Sequence, residues 1–112
     1  MKLDQIVIIC YEAIKVYGEQ LAGSKNPDWE QAPAWIKEDF IASIKFLSNN
    51  TECPAYRLHE HWLGLKLLDG WTYGKETNYD KKHHNFCLNW DQLKDEQKML
   101  WFLFKQIAGL LF

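Results

Sequence analysis

Apolar residues recur at steps of three and four in four stretches of this chain, and glycine or proline separates each stretch from the next. A 3.6-residue period gathers such positions on one face, so each stretch predicts an amphipathic helix that needs a partner to cover it. The first runs from about Asp4 to Ala22 through Ile6, Cys10, Ala13, Tyr17 and Leu21. Asp4 suits its N-cap, and Gly23 suits a left-handed stop. A polar connector leads to Pro27-Asp28-Trp29-Glu30, which reads as one helical turn. Pro33 then opens a second helix, with Ile36, Phe40, Ile44 and Leu47 inward and Asn49-Asn50 at its end. Pro54 opens a third helix, to about Leu68. There Leu58, Trp62 and Leu65 share a face flanked by His59, Leu63 and Leu67, and Gly70 closes it. Asp95 caps a last helix carrying Met99, Leu103, Ile107 and Leu110.

Between the last two helices the pattern changes. Trp71-Thr72-Tyr73-Gly74 alternates large and small residues, as a short extended piece does, and Lys75 to Asn89 has no helical period. The fold class is therefore mainly α: a small helical domain of about four helices, with one long ordered loop or short β-hairpin after the third. At 112 residues the chain is expected to be one domain, residues 1–112. A globule of this length has a radius of gyration of roughly 13 Å. Six Trp, six Phe and five Tyr supply large apolar surfaces for so small a core, and leave rings that can stack on a ligand.

Charge and cysteine usage narrow the function. A net charge of −2 with mixed signs gives no basic field for a phosphate backbone, so duplex nucleic acid is not an expected partner. Cys10, Cys53 and Cys87 lack the spacing of a zinc site or disulfide framework, which fits a reducing compartment. Ile6–Cys10 is too short for a signal peptide or a span, and Lys105-Gln106 interrupts the apolar stretch Met99–Phe112. A soluble, cytoplasmic protein with no membrane association is expected.

Catalytic signatures do not emerge. The chain has no phosphate-binding P-loop, no nucleophile elbow and no dinucleotide-binding glycine turn. His59 and His61 are two apart, so on a helix their rings point about 200° apart, whereas zinc helices set two histidines four apart. No metal site, catalytic residue or cofactor is assigned. An enzymatic reading would have to rest on Glu60 and the histidines, and one acid is not a mechanism.

One ordered set of motifs stands out: His59-Glu60-His61-Trp62, then Lys66, then Gly70-Trp71-Thr72-Tyr73-Gly74, then Lys82 and His84. It resembles the repeat domain of ryanodine receptors, whose signature runs H-E-x-W, a basic residue, G-W-x-Y-G and K-x-H-P. Trp90, Leu93 and the segment from Asp95 continue the pattern. The first half is similar to single-domain bacterial and phage members, with Tyr11-Glu12 followed by Trp29, Ala32, Pro33 and Trp35. The chain departs from the pattern at Asn85, where proline is usual, and at Thr77-Asn78, where a basic–acidic pair is common.

The resemblance implies a non-catalytic module for a small-molecule ligand, nucleotide-derived, that senses or sequesters it. The expected ligand-binding residues are Glu60, Trp62, Lys66, Trp71, Tyr73, Lys82 and His84. Aromatic faces would stack on a base while ammonium and imidazole groups contact phosphate oxygens. Taken singly, the same residues also suit structural roles, as core rings, turn glycines and a loop tether. A second reading is a protein-interaction or assembly module, possible as a homo-oligomer, that uses the apolar C-terminal surface of Trp101, Phe104, Leu110, Leu111 and Phe112.

Overall fold

A computed structural model describes residues 1–112, apart from the side chain of Ala22. The helices are α1 (Leu3–Ala22), α2 (Ala34–Asn49), α3 (Ala55–Leu68) and α4 (Asp95–Leu111). Single 3-10 turns, Trp29–Gln31 and Trp90–Gln92, precede α2 and α4. Helix α1 packs on α4 and α2, while α3 packs on both α2 and α4. The radius of gyration is 13.1 Å, the value expected for one small domain.

Helix ends follow a rule different from the expected one. Lys2 and Lys94, not Asp4 and Asp95, are the N-caps of α1 and α4. Their amides donate to Gln5 Oε1 (3.1 Å) and Gln97 Oε1 (2.9 Å), so the glutamine three residues on supplies the capping contact. The aspartates stand in the first turn, where their charge favours the helix dipole. Gly23 is left-handed (φ 66°) and stops α1 as expected.

Ile6, Val7, Cys10, Ile44, Leu47, Leu58, Phe104 and Ala108 form an aliphatic core where the four helices meet. Several expected inward positions are corrected. In α1 the buried stripe passes from Val7 and Tyr11 to Gly18, which leaves Tyr17 and Leu21 exposed. In α3, Lys66 takes the inward place, and Leu65 and Leu67 face out. In α4 the buried positions are Gln97, Leu100, Phe104 and Ala108, whereas Met99 and Leu110 are exposed. Residues 99–104 are apolar throughout, so periodicity cannot choose the inward face there, and packing against α1 does. The C-terminal apolar set divides accordingly. Phe104 is buried and Trp101 and Leu111 pack against the core, while Leu110 and Phe112 are exposed together with Phe102.

After α3 the chain forms β1 (Thr72–Tyr73) and β2 (His83–His84). They pair in parallel, Thr72 with His83 and Tyr73 with His84, so the hairpin expectation is corrected. The reversal occurs inside the intervening loop, where Asn78 bridges His83 antiparallel and Lys82 adopts φ 53°. Two glycines make this possible. Gly70 leaves α3 with φ 86°, and a Cβ on Gly74 would lie 2.4 Å from that of His83.

Candidate functional site

A second, aromatic core of Trp62, Leu63, Trp71 and Cys87 lies under this loop, with Trp35, Phe86 and Trp101 packed against it. A charge is built into it. Lys66 Nζ donates to both carboxylate oxygens of Asp39, at 3.2 and 3.1 Å, and lies 4.1 Å from the Trp71 ring centroid and 5.1 Å from that of Trp35. Trp62 Nε1–H donates to Asp39 Oδ2 at 3.2 Å. Burial pushes the Asp39 carboxyl above its ordinary value, and the Lys66 charge and these hydrogen bonds offset part of that shift. Helical spacing explains the acid: Trp35, Asp39 and Ser43 step by four along α2 and so share a face.

The expected ligand-binding residues separate into three groups. Trp71 is 1% exposed and its Nε1–H is taken by Asp69 Oδ2, so it is a core ring and not a stacking platform. Lys66 is committed to Asp39 rather than to Glu60 or to an incoming phosphate. Tyr73, Glu60 and Lys82 lie away from this core. Tyr73 and Glu60 are exposed, and Lys82 clamps the loop to the end of α3 through the Asp69 carbonyl (2.8 Å). Trp62 and His84, by contrast, reach the wall of an open cleft.

His84 is not the cationic donor expected. Its ring packs on Trp62 at 4.9 Å, and burial, with the Lys66 charge adding to it, pulls its pKa down to about 3. Because its Nδ1 accepts the Phe86 amide at 3.1 Å, the neutral ring carries its proton on Nε2. The motif partner His59 is fully buried, and its Nε2 lies 2.7 Å from the Leu88 carbonyl, tying α3 to the segment before α4. Tyr11 and Glu12 also hold the fold. Tyr11 donates to the Pro27 carbonyl and Glu12 accepts the Trp29 amide at 2.8 Å, pinning the turn before α2 onto α1.

The cleft measures about 630 Å³ and lies between α1, α2, α4 and the loop at residues 75–77 and 84–86. That volume is within the range of about 300–1,000 Å³ typical of small-molecule sites. Trp35, Phe40, Trp62, Phe86 and Trp101 bring rings to it, while Asp39, Ser43 and His84 bring polar groups. Lys25 and Lys75 stand at its rim, both exposed. Asp39, Trp35 and Lys75 were not among the expected site residues. The Trp35–Asp39 spacing was the available signal, since an acid one turn beyond a tryptophan on an inward-facing helix must find a buried cation or a ligand.

Among the described residues no cluster of His, Cys, Asp and Glu suits a metal ion, and no helix is long and apolar enough to cross a membrane. His61 stacks on Phe46 with ring centroids 4.0 Å apart. Comparison with known proteins finds no matching family model, no matching curated protein and no matching solved structure.

Proposed function

We propose that this chain is a non-catalytic binding module of the ryanodine-receptor repeat type, whose cleft takes a flat, nucleotide-derived small molecule for sensing or sequestration. The observation that carries the reading is the cleft beside Trp35, Trp62 and His84, where aromatic surface, the Asp39 carboxylate and exposed rim lysines meet. Rings offer stacking at about 1–3 kcal/mol per base, and Lys25 and Lys75 can meet phosphate at the mouth. Two such contacts of each kind support roughly micromolar affinity after the cost of association. The ligand position thus moves from the Trp71 side of the motif, where the cation and the ring satisfy each other, to its Trp62–His84 side.

Isothermal titration against mono-, cyclic and dinucleotides tests the reading. Heat with at least one of them, weakened about tenfold or more by Trp35→Ala in a folded variant, is the expected result. Silence across the panel removes it. A second reading as an assembly module keeps one observation in its favour, the exposed Phe102 and Leu110 on α4 and Phe112 just beyond it. Sedimentation at several concentrations separates the two, because a monomer at all of them rules out self-assembly through that surface.

A further inference from the structure

Asp39 holds a carboxylate that its neighbours do not saturate. Oδ1 accepts Lys66, and Oδ2 accepts Lys66 and Trp62. A carboxylate offers about four lone-pair positions, so one remains, on Oδ1. The side chain retains 20% of its exposure and lines the cleft, where a ligand can reach that position. Lys66 already balances the charge, so the position favours a neutral N–H over a second cation, which would face Lys66 as a like charge. The same cleft wall carries a donor of fixed sense. His84 touches the same indole that Asp39 binds, and no hydrogen bond among the described residues uses its protonated Nε2.

We infer that Asp39 is a specificity-determining residue of the cleft, whose free lone pair accepts the exocyclic amine of a flat heteroaromatic base while His84 Nε2–H donates to the adjacent ring nitrogen. Amino-bearing bases present this donor–acceptor order. Their keto counterparts present a carbonyl against the carboxylate and a ring N–H against the imidazole donor, two repulsive contacts in place of two attractive ones. The inference rests on the nucleotide reading above and narrows it to a chemical class.

The amide variant gives a directional test. In Asp39→Asn the donors Lys66 Nζ and Trp62 Nε1 both require the amide oxygen, so the NH2 group is left facing the cleft. The free group changes from acceptor to donor. Titration of the wild-type chain and the variant with cytidine and uridine monophosphates, and with adenosine and inosine monophosphates, reads the consequence. The wild-type chain is expected to bind the amino member of each pair about tenfold or more tightly, on the scale of one buried hydrogen bond, and the variant to lose or invert that preference. Equal affinity within both pairs overturns the inference and leaves the nucleotide reading standing. Silence with all four overturns the inference, and the nucleotide reading falls with it only if the cyclic and dinucleotides are silent too. An unchanged preference in folded Asp39→Asn overturns the role of Asp39. Should Asp39→Asn fail to fold, Asp39→Glu keeps the charge for Lys66 and moves the oxygens by one methylene. It should narrow the wild-type preference, and an unaltered ratio there overturns the role equally.

Discussion

The two halves of the core are held together by different physics. Around Ile44, Leu58 and Phe104 the helices share a largely aliphatic interior in which each residue contributes by volume and area. Around Trp62 and Trp71 the interior encloses an ammonium group, and its order depends on Lys66 finding Asp39 on one side and indole faces on the other. The first half tolerates change in proportion to the atoms removed. The second is a satisfied network in which a lost partner leaves a charge exposed to a poor solvent. Both halves reach the cleft, the aromatic half through Asp39 and Trp62 and the aliphatic half through Phe104.

The largest effect should come from the aliphatic half. Phe104→Ala is expected to lower unfolding free energy by about 3–5 kcal/mol in urea titrations, as a ring lost from a packed core does. In the aromatic half, Lys66→Met strands Asp39 and should cost about 3 kcal/mol. Adding Asp39→Leu to that variant should recover most of the loss, since the pair leaves together. A double variant no more stable than Lys66→Met would show that the two halves do not differ in this way.

Acid sharpens the comparison further. The His84 pKa lies at about 3 in the fold, against 6.5 for an ordinary histidine, so the unfolded chain takes the proton first as pH falls. Its stabilising contribution is complete above pH 6.5 and declines through the window down to about 3. Burial lowers the values of His59 and His61 as well, which adds to the decline in the same direction. Stability followed by denaturant titration from pH 7.5 to 4 should fall less steeply in His84→Gln than in the wild-type chain, and parallel profiles would count against the assignment. The smallest effect belongs to the residues outside both cores. Tyr73→Ala and Lys82→Ala should each change stability by less than about 1 kcal/mol, and neither should alter nucleotide affinity.

Element types were legible wherever local chemistry decides them. The four helical periods, Gly23 as a left-handed stop and the extended piece at Thr72-Tyr73 all follow from residue type and spacing. The inward face of α4 did not follow, because six consecutive apolar residues fit any face until α1 selects one. The parallel pairing of β1 with β2 also escaped, since it depends on a left-handed Lys82, a residue type with no preference for that conformation. For the candidate site, the motif from His59 to His84 contains two residues that line the cleft, Trp62 and His84. It could not separate residues that hold the region together from those that reach the cleft. That division depends on Asp39, which lies outside the motif and reaches Lys66 across a gap of 27 residues in the chain.

The central claim is that the ligand lies on the Trp35–Trp62–His84 side of the aromatic core and not on the Trp71 side. The indole N–H signals of the six tryptophans, assigned by NMR and followed during a nucleotide titration, test it most directly. Movement of the Trp35, Trp62 and Trp101 signals, with Trp71 changing far less, is the predicted result. Movement led by Trp71, or no movement at any of them, would contradict it.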